Sequence, residues 1–265
     1  MYFAPHGNRH RWATWLASAI LAIAGLGSPV FAQAAEIPLA RVNAAQLLDA
    51  GTMERATQTG TAWTAEVVRP VVARSKPDRD ADARVTLHPY GVSVHPTTLL
   101  ATRGFRDRYN HDWVQVQLNI RPNQSSGWIP ADAVLLTPIT VRVIVHLASR
   151  RLDVFQDERN VLSVPTGIGR TATPTPTGRF AVDDMWTTDA ATRPIYGRFV
   201  LSLTAHSNVL MRFDGGEGRI AIHGGGAANR VGARSSFGCL IVSAATLQRL
   251  WRLVRPGTPV TVLAD

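Results

Sequence analysis

Cysteine is almost missing from this 265-residue chain. Cys239 stands alone, which excludes an intramolecular disulfide and any multi-cysteine zinc site and leaves a structural thiol, an intermolecular bridge or a reactive nucleophile. Lysine is equally scarce. Lys76 is the only one, so the net charge of +9 is carried almost entirely by Arg. Such a charge favours a polyanionic surrounding such as nucleic acid, acidic lipid or an anionic polymer; an Arg-rich coding composition produces the same bias. No run of five or more like charges marks a charged tail. Long apolar runs are absent as well: Trp15 to Gly27, at 1.5 Å per residue, covers roughly 20 Å of the ~30 Å a hydrocarbon core requires. Collagen and coiled-coil repeats are missing. His88, His95, His111, His146, His206 and His223 show neither His-Glu-x-x-His nor paired ligand spacing, so no metal site is indicated and no cofactor is expected. The chain has no Gly-x-Ser-x-Gly elbow and no glycine-rich phosphate cradle followed by Lys-Ser/Thr. Nucleic acid is not an expected partner.

What is present describes a globular, turn-rich protein. Hydrophobic residues make up 45% and charged residues 18%, with 21 Gly and 16 Pro, and the length admits one large domain or two small ones. At the N-terminus Arg9 and Arg11 precede the apolar run, and Val30-Phe31-Ala32 places small residues where a signal peptidase reads them. Residues 1–32 therefore read as a signal peptide cleaved after Ala32, with Ala32-Gln33-Ala34 as a second option. Cleavage lowers the charge from +9 to +7 and leaves an exported protein, in the periplasm or cell wall, with no stable membrane anchor. Residues 33–62 read as a linker with one short helix near Leu47-Leu48.

From Trp63 to Thr137 short β-prone segments alternate with turn signals: Val67-Val68, Val71-Val72, Thr98-Leu99-Leu100, and Trp113 to Leu118 in strict alternation. The turn Asn123 to Gly127 and the closing stretch Trp128 to Val134 complete the pattern of a small β-barrel. Residues 63–137 resemble the bacterial SH3-like wall-associated domains, with Trp113 and Trp128 expected as core aromatics before ligand-stacking ones. Pro138 marks a boundary. Beyond it, residues 138–265 form a second, mostly β domain that opens with a hairpin, Val141 to Val145 and Leu152 to Phe155. Further strands are expected at Val161 to Val164, Phe180 to Val182, Phe199 to Leu203 and Arg219 to His223. One helix is clear: Ser243 caps it, Leu247, Leu250, Trp251 and Val254 form its apolar stripe, and Arg255-Pro256-Gly257 stops it.

The residues that carry chemistry are a histidine closing a strand, Ile220-Ala221-Ile222-His223, then Gly224-Gly225-Gly226, and sixteen residues beyond His223 the thiol in Ser236-Phe237-Gly238-Cys239. A lone thiol before an apolar pair also fits an inert core position. An ordinary thiol, with a pKa near ~8.5, is only a few per cent thiolate at neutral pH, and an adjacent imidazole makes it a nucleophile by accepting its proton. The spacing permits that meeting if the loop folds back.

These residues resemble the catalytic core of the L,D-transpeptidases, the YkuD-type domain. The resemblance runs over residues ~140 to 263: Thr166-Gly167, then Thr173-Pro174-Thr175-Pro176-Thr177-Gly178-Arg179-Phe180, Tyr196-Gly197, His206-Ser207, Ile222-His223-Gly224 and Ser236-x-Gly238-Cys239. It implies Cys239 as nucleophile, His223 as base, Gly224 orienting His223 through its carbonyl, and amides near Gly238 and Cys239 stabilising an oxyanion. Peptidoglycan stem peptides are the implied partners, and an anionic cell-wall polymer fits the charge. The implied activity is cross-linking through a thioester. Two positions depart from the family: Phe237 stands where it usually has His or Arg, and Ile241 where it commonly has Arg. Substrate contacts are therefore expected from Ser236, Arg230, Arg234, His206 and Tyr196. Two other readings fit the same residues: a non-catalytic wall-binding or scaffolding protein, and an L,D-carboxypeptidase that passes the acyl group to water.

Overall fold

The computed structural model describes residues 60–91, 95–213, 215–226 and 228–265. The expected signal peptide and residues 33–59 of the expected linker lie outside the described residues. The described residues all belong to one compact unit.

Strands β1 (Ala62–Val67), β2 (Val71–Arg74), β3 (Ala83–Leu87), β4 (Thr98–Arg106), β5 (Asp112–Gln117), β6 (Ser126–Pro130) and β7 (Val134–Ile139) make a seven-stranded sheet of order β3-β2-β6-β5-β4-β1-β7. All its pairings are antiparallel. The alternation of β5 puts Val114 and Val116 into a core with Ala65, Ala73, Leu118 and Ile129. Trp113 is buried and its indole donates to Asp107 Oδ2 at 3.2 Å, whereas Trp128 is half-buried edge-on to Phe105. The chain passes from one sheet to the other between Ile139 and Val141, just after Pro138. Pro138 lies within β7, opposite Trp63, and is tolerated because β7 is an edge strand whose outer side needs no ladder donor.

The second layer begins at once with β8 (Val141–His146) and β9 (Arg151–Gln156), the expected hairpin, followed by β10 (Arg159–Pro165), β11 (Ile168–Gly169) and β12 (Gly178–Thr187). A four-residue helix α1 (Arg193–Tyr196) leads into β13 (Phe199–His206) and β14 (Arg219–His223). After them come β15 (Arg234–Ser236), β16 (Leu240–Ile241), helix α2 (Ala244–Leu253) and β17 (Pro259–Leu263). Eight strands form one sheet, β10-β9-β8-β17-β12-β13-β14-β16, and β11 pairs with β15 beside it. The chain is thus mostly β with one substantial helix. In α2 the Ser243 hydroxyl accepts from Thr246 N at 3.1 Å, and Leu247 and Leu250 are fully buried. Losing that cap in Ser243→Ala leaves an orphan amide and is expected to lower stability by about 1 kcal/mol, read as a shift in the urea midpoint at unchanged slope.

The two sheets share a core and a polar seam. Ala62, Leu100 and Ile139 pack with Val141, Phe180 and Val260 in the larger hydrophobic cluster. Gln117 Nε2 donates to Arg179 O at 2.7 Å and Asn119 Nδ2 to Asp183 Oδ2 at 2.6 Å. A loop of the first sheet also grips the segment between β13 and β14. Arg121 donates to the carbonyls of Ser207, Leu210 and Glu217 at 2.7, 3.1 and 2.9 Å. Asn123 pairs with both backbone groups of His206 at 2.7 Å.

Candidate active site

His223 ends β14, and β16 joins β14 in parallel with Ile222 opposite Leu240 and His223 opposite Ile241. Cys239 is the residue before β16, so the ladder brings the thiol beside Ala221, one side-chain period from the imidazole. A hydrogen bond between Cys239 and the Ala221 backbone agrees with that placement. The sixteen-residue excursion therefore does fold back. Parallel pairing needs such a crossover, because a tight turn joins only antiparallel strands.

The imidazole is held in one tautomer. Its Nδ1 lies 2.7 Å from Gly224 O; since a carbonyl only accepts, Nδ1 carries the hydrogen of the neutral ring and Nε2 keeps its lone pair. Tyr196, from α1, packs edge-on to the ring at 5.1 Å between centroids. The ring is buried, and burial is the main cause of a pKa held below the ordinary histidine value; the Arg230 guanidinium lowers it further, while the Gly224 bond opposes both. Burial thus favours the neutral form of His223.

Burial also pushes the Cys239 thiol above its ordinary pKa, and the Ala221 hydrogen bond and the Arg230 charge pull it part of the way back. Arg230 acts on both groups because its side chain folds over Gly226 in a short 3-10 turn, Ala228–Arg230. The sign of these effects is testable. A raised thiol pKa keeps Cys239 protonated at pH 7, so alkylation by iodoacetamide should climb through the alkaline range with its midpoint above that of a free cysteine. Arg230→Gln removes the charge that favours thiolate and should move the midpoint higher still; a downward move would mean that Arg230 does not act on the sulfur.

The Ser-Phe-Gly-Cys turn is built from its own hydroxyl. Ser236 Oγ accepts from Gly238 N at 3.1 Å and donates to Cys239 O at 2.6 Å, and the residue is buried. Ser236 therefore shapes the turn with a hydroxyl that donates one bond and accepts another. The Gly238 amide is likewise engaged, so the oxyanion expectation narrows to the Cys239 amide, which donates no backbone hydrogen bond among the described residues. Gly238 is required for a different reason from close approach of a substrate: its φ is +122° and a Cβ there would lie 2.7 Å from Ile220 Cδ1. The Thr175 hydroxyl, within the Thr-Pro motif, accepts from Gly169 N at 2.9 Å and donates to Gly238 O at 2.8 Å, tying the proline-rich segment to the turn.

Two expected residues stand apart. His206 pairs with Arg219 at the far end of the same ladder in which His223 pairs with Val200, roughly 13 Å away at ~3.3 Å per residue, so it does not join His223. It is buried with its Nε2 3.8 Å from Glu217 Oε2, beyond hydrogen-bond reach, and burial lowers its pKa. Arg234 sits exposed on β15 opposite Ile168. No group of three or more His, Cys, Asp or Glu able to hold a metal occurs among the described residues, and no helix among them is long and apolar enough to cross a membrane.

The register thus sets Cys239, on a turn fixed by Ser236, next to the strand that ends in His223. Residues 140–262 match the YkuD family, described as the L,D-transpeptidase catalytic domain, which supports that family for this part of the chain. No curated protein matches the chain. Among solved structures, a mutant of the Enterococcus faecium L,D-transpeptidase is similar at 19% identity over 46% of this chain and 49% of that one, with a TM-score of 0.37. The matched part thus spans about half the length of that protein. An L,D-transpeptidase from Mycobacterium tuberculosis is similar at 16% identity over 58% of this chain and 90% of that one, with a TM-score of 0.39. One from Mycobacterium smegmatis gives 16%, 58%, 91% and 0.36.

Proposed function

We propose that the chain is an exported L,D-transpeptidase that uses Cys239 as nucleophile and His223 as base. The observation that carries the reading is the β14–β16 register, which sets Cys239 beside Ala221 on the strand that ends in His223. With Nδ1 bound to Gly224 O, Nε2 is the atom that takes the thiol proton. The sulfur attacks the carbonyl carbon of the third residue of a stem tetrapeptide, and the negative charge gathers on the carbonyl oxygen, where the Cys239 amide meets it. The bond to the terminal D-Ala nitrogen then breaks, Nε2 returns the proton to that nitrogen, and a thioester remains. An amine of a second stem attacks the thioester, forms the new amide and releases the thiol. No nucleotide is consumed, as suits a protein working outside the membrane.

The thiol and imidazole are poised as a neutral pair rather than a preformed ion pair: burial raises one pKa and lowers the other. Proton transfer is then coupled to attack on a bound substrate, and water meets little free thiolate. The first sheet is proposed as an SH3-like module that holds the enzyme on the wall, in keeping with the positive charge of the chain.

Intact-mass measurement tests the reading. Incubated with a disaccharide tetrapeptide, the protein should gain the mass of the donor less D-Ala, lose that gain in Cys239→Ala, and yield a cross-linked product when an acceptor stem is added. Release of tripeptide alone would make it a carboxypeptidase. Absence of any adduct together with tight binding to peptidoglycan would establish the binding-module reading.

A further inference from the structure

We propose that Arg170, mounted on the ring of Phe237, binds the free carboxylate at the C-terminus of the donor peptide. Phe237 stands two residues before Cys239, at one of the positions where the chain departs from its family, and its ring is 41% exposed. The ring is not idle. Phe213, from the segment between β13 and β14, is equally exposed and packs on it at 4.9 Å between centroids, tilted by 36°. The guanidinium carbon of Arg170 lies 4.0 Å from the Phe237 centroid, within cation–π range. The backbone of Arg170 is tied to the same turn, because its amide donates to Ser236 O at 3.0 Å. Four features therefore meet at Phe237, two residues before Cys239: a cation, an aromatic underside, a second aromatic wall and an opening to solvent.

The electrostatics favour an anion there. None of the ion pairs among the described residues involves Arg170, and its side chain is exposed. A guanidinium lying against a ring offers that face to the aromatic while its N–H groups, which lie in its plane, point outward past the ring. A carboxylate accepts two of them in parallel. Phe213 and Phe237 offer apolar surface beside such a pair, on which a small aliphatic side chain next to the carboxylate can rest. The ligand is thus an acyl donor whose leaving residue is small, apolar and ends in a free carboxylate. Arg230 is less suited: it is half-buried over Gly226 and its charge acts on the thiol and imidazole.

This assignment rests on the transpeptidase reading of Cys239, and the test separates the two. Acyl-enzyme formation is measured with a disaccharide tetrapeptide ending in the D-Ala acid and with the same peptide ending in the D-Ala amide. Wild type should prefer the acid by at least about tenfold, the order expected for a charge-assisted bidentate contact. Arg170→Gln should bring the acid-to-amide ratio to within about twofold of one, Arg170→Lys should retain part of the preference, and Arg230→Gln should keep the preference while shifting the pH profile. An unchanged ratio in Arg170→Gln, or its collapse in Arg230→Gln alone, overturns the proposal and leaves the role of Cys239 standing. If wild type acylates with neither peptide, the transpeptidase reading fails, and the same two peptides are titrated against the unmodified protein by calorimetry. Preference for the acid that disappears in Arg170→Gln then supports the carboxylate site, and equal or absent binding of acid and amide overturns it.

Discussion

Replacing His223 by Gln should slow thioester formation by about 10²- to 10⁴-fold, the span over which a positioned acid–base group contributes. Glutamine keeps a planar polar head that can still donate to Gly224 O, the bond that now fixes Nδ1 at 2.7 Å, but it offers no titrating nitrogen to the thiol. The loss should be steepest at neutral pH, because burial keeps the Cys239 sulfur protonated there and only the base relieves it. As the pH rises and hydroxide generates thiolate directly, the residual rate of the variant should climb toward that of the wild type. Single-turnover acylation followed by intact mass between pH 6 and 10 reads both effects. A drop smaller than about tenfold at pH 7 would show that the proton leaves the sulfur by another route.

A large structural effect is expected at Gly225, whose φ is +75°. A Cβ there would lie 2.5 Å from Ile195 O and 2.6 Å from Gly197 N, both backbone atoms of the segment carrying α1. Neither can swing aside as a side chain does, and Gly224 N and Gly226 N already bind Tyr196 O and Pro194 O at 2.9 and 2.8 Å. Gly225→Ala therefore adds left-handed backbone strain to a main-chain overlap, together about 2 to 5 kcal/mol of lost stability. Guanidinium denaturation measures it, and a loss below about 1 kcal/mol would mean that α1 moves without resistance. Because α1 also brings Tyr196 against His223, folded variant protein should show an altered histidine titration by NMR. The three glycines after His223 thus serve the approach of another backbone segment.

Much of this architecture was legible in the chain, and the losses have physical causes. The β8–β9 hairpin, β14 and α2 announce themselves locally, through period-two alternation, a strand ending at His223 and a serine cap before an apolar stripe. The strand β17 was missed although Val260 and Val262 alternate, because it follows the helix stop directly and its partners, β8 in parallel and β12, lie more than seventy residues away in sequence. The pairing of Cys239 with the His223 strand followed from chemistry and family likeness alone. Which of the polar residues surround the pair did not: Ser236 and Gly238 consume each other's hydrogen bonds, and His206 sits at the wrong end of a long ladder. Arg170 and Phe213 carried no motif of their own, since their meeting at Phe237 exists only in the folded turn.

The grip of Arg121 and Asn123 on the segment after β13 bears on how this protein can be dissected. Three carbonyls of that segment, and the N–H and C=O of His206 just before it, are satisfied by a splint supplied from outside the matched stretch 140–262, and the same segment delivers Phe213 to Phe237. An excised second sheet would keep Cys239 and His223 but surrender the scaffold that holds the Phe213 segment. The two sheets are then not separable modules, and any tug on the first is felt where Phe213 meets Phe237.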